Sequence, residues 1–179
     1  MIPRRIALIG VIALAACDGG SVETVHIPPG ALQGTSEPLY QTSETAHHML
    51  VARPDQLIDQ PANAAYALML YEIATVEASG RLSDQWPGRL MREARPVVRA
   101  AAGLASEATA QQAVDALWAT VQALRRNDEP GARAALVPPA ALQTEIARDR
   151  LQRYTLPSQG VRALRELQQA IMHERMRNQ

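Results

Sequence analysis

Hydrophobic residues recur at helical spacing along most of this chain, and the pattern divides it into about five helices. A short helix is predicted over residues 44–51, and the first long helix over residues 61–79. The long helix is apolar nearly all round, which is typical of the central helix of a bundle. Glu72 interrupts its apolar run, so the segment is too short and too polar to cross a membrane.

The next predicted helix covers residues 88–104 and separates an apolar stripe from a row of arginines. The stripe consists of Leu90, Ala94, Val97, Ala101 and Leu104. The row on the other face consists of Arg89, Arg92, Arg95 and Arg99. Pro96 lies inside the pattern, and a proline removes a backbone donor and clashes one turn back, so we expect a kink or a helix restart there.

Three further helices are predicted toward the C-terminus. One runs from a Ser106 cap to about Arg126, and the last begins at Ser158. The helix between them follows Pro138-Pro139, and its predicted apolar residues are Leu142, Ile146, Leu151 and Tyr154. No stretch has a convincing strand pattern. The predicted fold class is therefore all-α, an irregular bundle of about five helices in a domain that covers residues 44–179.

Residues 17–43 are rich in glycine, proline, serine and threonine and lack sustained periodicity. This composition predicts a flexible N-terminal tether. A flexible chain of that length has a root-mean-square reach of about 29 Å, so the domain is expected to stand clear of whatever holds its N-terminus. Val22, Val25, Ile27 and Leu32 are the residues of the segment that are suited to docking on the bundle.

The N-terminus carries a secretory pattern. Met1-Ile2-Pro3-Arg4-Arg5 precedes an apolar run from Ile6 to Ala13, and Leu14-Ala15-Ala16-Cys17 closes it. Leu-Ala-Ala-Cys resembles the lipobox of bacterial lipoproteins. The resemblance implies that residues 1–16 are a signal peptide, that cleavage precedes Cys17, and that acyl chains such as palmitate tether the mature chain to the periplasmic face of a membrane. In enterobacterial lipoproteins an aspartate in the place of Asp18 implies retention at the inner membrane.

The composition of the mature chain excludes several kinds of binding and catalytic chemistry. Without residues 1–16 it has 16 basic against 18 acidic residues, a net charge of about −2, whereas a nucleic-acid binder carries a basic patch. There is no lysine, so Schiff-base chemistry and a lysine phosphate loop are excluded. Cys17 is the single cysteine, and its lipidation leaves no thiol or disulfide in the domain. Nucleophile motifs are absent as well, and no cofactor or catalytic residue is expected.

Two features suggest chemistry of their own. His47 and His48, next to Met49, are of types that bind copper or zinc, but neighbouring histidines on a helix point to different sides. Glu72 is a carboxylate in the apolar part of the predicted central helix, and neither Glu72 nor Glu77 has the Glu-x-x-His spacing of di-metal bundles. We expect Glu72 to pair with an arginine such as Arg92, Arg95 or Arg99.

Trp86, Trp118 and the arginines Arg92, Arg95 and Arg99 form the candidate interaction surface, because tryptophan and arginine are enriched at binding hot spots. Core tryptophans and a solvated arginine face are the alternative. The leading functional hypothesis is a non-enzymatic, membrane-anchored helical interaction module in an envelope assembly for secretion, transport or the cell wall. The alternatives are a periplasmic copper- or zinc-binding lipoprotein and an enzyme with a site at Glu72.

Overall fold

The computed structural model describes residues 23–32 and 37–177, and within them it contains seven α-helices and no strand. They are α1 (Pro38–His47), α2 (Pro61–Arg81), α3 (Trp86–Ala102), α4 (Ala110–Arg125), α5 (Glu129–Ala135), α6 (Thr144–Gln152) and α7 (Ser158–Arg177). A π-helical turn (His48–Ala52) and a 3-10 turn (Pro54–Leu57) join α1 to α2. The all-α prediction is confirmed, with seven helices rather than about five.

Helix α2 is the centre of the bundle, as its uniform apolar sequence predicts. Its residues from Leu68 to Val76 are all buried, and α1, α3, α4 and α6 pack around it. Its N-cap is Gln60, with Pro61 at the first helical position. The helix continues two residues past the predicted end at residue 79, through Gly80 to Arg81. Among the described helices, none has the length and apolar character needed to cross a membrane.

Helix α3 is rotated from the predicted orientation. Its buried face contains Met91, Ala94, Val98 and Ala102 together with Arg99, whereas Val97 is exposed. The helix is also continuous through Pro96, so the expected restart does not occur. This face packs against α2 and α7. Two overlapping apolar stripes exist on α3, and the one that faces inward also carries Arg99, which binds Glu72 of α2.

The segment from α4 to α6 also departs from the prediction. Helix α4 begins at Ala110, with Thr109 rather than Ser106 as its cap, in a reciprocal capping box with Gln112. Helix α5 lies between the predicted helix that ends near Arg126 and the one that follows Pro138-Pro139, where no helix was predicted. Leu142 and Ile146, both predicted to be core residues, are exposed, while Leu151 and Tyr154 are buried as predicted.

The segment before the predicted domain boundary lies on the bundle. Helix α1 begins at Pro38, so the boundary at residue 44 falls inside a helix. Residues 23–32 run along the bundle, where Val25, Ile27 and Leu32 pack against the core as predicted. The Tyr66 hydroxyl donates to the carbonyl of Ala31 at 3.0 Å. Cys17, Asp18, Val22 and the predicted signal peptide lie outside the described residues.

Candidate interaction surface

A cleft of about 490 Å³ opens where the α2–α3 connection meets the C-terminal end of α7. The connection contributes Leu82, Ser83 and Asp84, and α7 contributes its last two turns, including His173 and Met176. Arg177 closes one side by donating from Nη2 to the Ser83 hydroxyl at 2.8 Å. The cleft therefore depends on contact between residues far apart in the chain.

Trp86 lies next to this cleft, at the first turn of α3. Asp84 lines both the cleft and the neighbouring hollow that contains Trp86, and its Oδ1 accepts the Trp86 backbone N–H at 2.9 Å. The indole is 40% exposed, and the guanidinium of Arg89 stacks 4.5 Å from its ring centre. Arg92 lines the same hollow and donates to the Ser79 hydroxyl. We call the residues Trp86, Arg89, Arg92 and Met176 the Trp86 surface.

The Trp86 surface has the residue types of a protein-binding site. Tryptophan, methionine and arginine are enriched in interfaces relative to the rest of a protein surface. Met176 is 64% exposed and Met172, one turn earlier on α7, is 61% exposed. These side chains leave apolar area in water next to fixed hydrogen-bonding groups.

Three of the predicted interaction residues lie elsewhere. Arg99 is 2% exposed, and Arg95 is largely covered because its guanidinium binds Glu23. Trp118 is half-buried and packs against the hydrophobic core. The predicted arginine row is therefore wrong for Arg95 and Arg99, whereas the structure brings Trp86 and Arg92 together with Arg89.

Glu72 and Arg99 form a buried ion pair behind this face. The Arg99 Nε and Nη2 atoms donate to the two oxygens of Glu72 at 2.7 and 2.8 Å, and both residues are 2% exposed. Arg99 Nη1 also donates to the backbone carbonyls of Ser106, at 3.0 Å, and of Ala108. Burial lowers the pKa of Arg99, but hydrogen bonding and charge attraction from Glu72 outweigh it and raise the pKa above its ordinary value. Of the predicted arginine partners, Arg99 thus binds Glu72 directly, and Arg95 Nη1 lies 3.9 Å from Glu72 Oε2. The Glu72–Arg99 pair joins α2, α3 and the α3–α4 connection.

Glu23 extends this charge network to the N-terminal segment. Its Oε2 lies 2.8 Å from Arg95 Nη1, and its Oε1 accepts the N–H of Ala110 at the start of α4 at 3.0 Å. Burial raises the pKa of Glu23, but the hydrogen bonds from Arg95 and Ala110 outweigh it and hold the pKa below its ordinary value. No sequence signal marks Glu23, because both partners lie more than 70 residues away.

Replacing Glu23 by glutamine should release the N-terminal segment from the bundle. The variant loses the charge on two hydrogen bonds of a half-exposed group, so we expect a cost of about 1 kcal/mol. Hydrogen exchange at the His26 amide, which donates to Gln111 Oε1 at 2.7 Å, reports this release, and its protection should fall about fivefold.

The effect of pH provides a check on the Glu23 prediction. Because the folded-state pKa of Glu23 lies below its ordinary value of 4.5, its stabilisation is present above 4.5 and is lost as pH falls through the folded-state pKa. The glutamine variant should lack this acid-dependent loss of His26 protection. Thr24→Ala, a change at an exposed neighbour, should behave as the wild type, and equal protection in wild type and Glu23→Gln would contradict the prediction.

The candidate metal ligands do not converge. His47 is half-buried, and burial, followed by the charges of Arg165 and His48, lowers its pKa. His48 is exposed, and the two histidines share a shallow cleft with Glu44 and Gln168. His173 and Met176 lie in the other cleft. Within residues 23–32 and 37–177, no group of three or more histidine, cysteine, aspartate or glutamate side chains is placed to hold a metal ion.

The described residues thus define the exposed Trp86 surface, beside the cleft between the α2–α3 connection and α7, and the buried Glu72–Arg99 ion pair. Both are built from side chains that α2 and α3 position, with α7 closing the cleft. Comparison of the chain with protein-family models, with curated proteins and with solved structures found no match.

Proposed function

We propose that this protein is a bacterial lipoprotein, anchored through Cys17 to the periplasmic face of a membrane. In this proposal it has no enzymatic activity, and its helical bundle binds a protein partner in an envelope assembly for secretion, transport or the cell wall. The observation that carries the proposal is Leu14-Ala15-Ala16-Cys17 after a charged start and a short apolar run. Asp18 favours the inner membrane.

The Trp86 surface supports the binding role. An exposed indole that an arginine stacks on, next to a cleft with an exposed methionine, presents large apolar area beside hydrogen-bonding groups. The partner chemistry that suits it is a protein surface with an apolar anchor for the cleft and a carboxylate for Arg89 or Arg92.

The environment of Glu72 supports a structural role for this carboxylate. Both of its oxygens accept hydrogen bonds from Arg99, and the pair is enclosed by α2, α3 and the α3–α4 connection. A general base needs an oxygen that can reach a substrate proton. The carboxylate that was the strongest candidate for catalysis is thus engaged in holding helices together.

Crosslinking in cells tests the proposal at chosen positions. A photo-activatable residue is placed at Arg89 or at Met176 in the full lipidated chain, and the matched control places it at Arg126, an exposed residue at the end of α4. We expect one specific protein to be captured from Arg89 and Met176 but not from Arg126. Trp86→Ala should weaken binding of that protein by about 2 kcal/mol, or roughly 30-fold.

The anchor is tested in the same cells. Wild-type protein should fractionate with membranes, whereas a Cys17→Ser variant should be soluble and capture less of the partner. Recovery of no specific partner from either position, with function intact in the soluble Cys17→Ser variant, would contradict the proposal. Capture that is the same from all three positions would contradict the assignment of the Trp86 surface.

A further inference from the structure

A second apolar surface lies at the other end of α3, where α6 crosses it. A groove of about 310 Å³ runs between the two helices and is lined by residues that include Ala100, Leu104, Leu142 and Ile146. Leu142 is 74% exposed and Ile146 is 40% exposed. Val97, one turn before Ala100 on α3, is exposed as well. We call Val97, Leu142 and Ile146 the α3–α6 face.

The α3–α6 face is apolar at helical spacing yet uncovered. Leu142 and Ile146 are four residues apart, and Val97 belongs to the second apolar stripe of α3, so the sequence pattern places all three in a core. The bundle instead buries Met91, Val98 and Ala147 at these helices. Leu142 lies two residues before α6, Ile146 lies in its first turn, and Val97 lies on α3. Exposed apolar side chains of this kind gain free energy when something apolar covers them.

The length of chain that precedes the bundle indicates what covers the face. Glu23 is fixed on the bundle by Arg95 and by the Ala110 amide. Ala110 is four residues from Ser106, which lines the groove, so the two lie within about 14 Å along the chain. Cys17 is six residues before Glu23, so Cys17 lies within about 21 Å of the docking point even when the chain is fully extended. This limit is shorter than the reach of about 29 Å expected for a flexible tether over residues 17–43.

We propose that the α3–α6 face rests on the phospholipid bilayer that holds the lipid of Cys17. The inference depends on the proposed lipid anchor. Leu142 and Ile146 enter the boundary between headgroups and acyl chains, as the apolar residues of interfacial helices do. Arg150 lines the same groove and donates to the carbonyl of Ala100 at its edge, which places a guanidinium at headgroup level for a lipid phosphate.

This orientation separates the two surfaces of the protein. Trp86 and Ala102 are the ends of α3, and a helix of 17 residues is about 25 Å long. With the Ala102 end on the membrane, the Trp86 surface lies at the opposite end of α3, about 25 Å along the helix. The lipid then fixes position, the α3–α6 face fixes orientation, and the Trp86 surface stays accessible.

Lipid-borne quenchers measure the orientation directly. Purified lipidated protein is placed in vesicles of phosphatidylethanolamine and phosphatidylglycerol, some of which carry doxyl-labelled lipid. An environment-sensitive fluorophore is attached to a cysteine introduced at Leu142, and the matched control carries it at Met176, an exposed apolar position beyond the other end of α3. Cys17 is the single native cysteine and is blocked by its lipid, so labelling is specific.

We expect lipid quenching at position 142 and little at position 176. Ile146→Glu should lower the quenched fraction at position 142 roughly tenfold, because a charge replaces an apolar side chain at the contact, whereas Met172→Glu should leave it unchanged. All substituted positions are exposed, so the fold is preserved. Flotation of wild type and Cys17→Ser precedes the labelling and tests the anchor by itself.

The possible failures are distinguishable. Wild type that floats with vesicles but shows equal quenching at positions 142 and 176, or none at 142, overturns the orientation and leaves the anchor standing. Protection of position 142 that rises with protein concentration, without lipid quenching, assigns the face to a second copy of this chain and also overturns the inference. Wild type that carries no lipid and fails to float overturns the anchor and the inference together.

Discussion

Replacing Arg99 by methionine should lower the free energy of unfolding by about 3–5 kcal/mol, the largest loss expected from a single change in this protein. The substitution removes both hydrogen bonds to the buried carboxylate of Glu72 and leaves it only the longer ion pair with Arg95, whose Nη1 is 3.9 Å from Oε2. A buried charge without close compensation is costly. The backbone carbonyls of Ser106 and Ala108 lose their donor at the same time. Urea unfolding followed by circular dichroism measures the change.

A double variant separates the cost of leaving one buried charge unpaired from the net contribution of the ion pair to the free energy of unfolding. Glu72→Leu with Arg99→Met replaces both charges by apolar side chains of similar size, and such replacements of buried pairs are often neutral or stabilising. We therefore expect the double variant to recover most of the stability that Arg99→Met loses. Glu93→Gln, which removes the partner of Arg89 in an exposed pair, should change stability by less than about 1 kcal/mol. A loss under about 1 kcal/mol for Arg99→Met would contradict the role assigned to the pair, since breaking a buried pair costs several times that.

The helices that could be predicted from sequence are those whose hydrophobic pattern is compatible with only one way of packing in the bundle. Helix α2 is apolar on every side, so its place at the centre does not depend on which face is chosen. Helix α7 begins at Ser158, as predicted, and buries Leu164, Leu167 and Ile171 on one stripe. In these helices local sequence alone is sufficient.

The elements that were predicted wrongly depend on interactions that hydrophobic periodicity does not report. Helix α3 has two apolar stripes, and the one that faces inward carries Arg99, whose partner Glu72 is 27 residues away. Helix α5 begins in a stretch whose proline and glycine resemble a break, yet the Asp128 side chain accepts the N–H of Gly131 and caps the helix. Single-sequence periodicity contains neither piece of information.

The candidate interaction residues were also predicted correctly in part and wrongly in part. Trp86 and Arg92 were predicted because tryptophan and arginine are the residue types of interaction surfaces, and both are exposed. Arg95 and Arg99 are the same residue type at the same spacing, but carboxylates from two other segments bind them. Residue type and spacing thus identified candidates, and ion pairing across the bundle decided which of them reach solvent.

Gly103 sets the path of the chain between the buried ion pair and the α3–α6 face. It ends α3 in the left-handed conformation, with φ at 77°, and its N–H donates to the carbonyl of Ala100 at 3.1 Å. A Cβ at this position would lie 2.7 Å from the Cα of Ala147 on α6. Both the backbone conformation and the close approach of two helices therefore require glycine.

Gly103→Ala should cost about 2–5 kcal/mol, the sum of about 1–2 for the left-handed conformation and about 1–3 for forcing α3 and α6 apart. Gly30→Ala is the matched control, because Gly30 has φ at 76° but nothing within 4 Å of an added Cβ, so it should show the conformational cost alone. Equal losses in the two variants, measured by urea unfolding, would contradict the contact between the helices. A larger loss in Gly103→Ala, with increased hydrogen exchange in residues 104–109, would show that the packing of α6 against α3 holds the carbonyls of Ser106 and Ala108 in place for Arg99. The stability of the buried pair and the shape of the α3–α6 face would then depend on the same close approach.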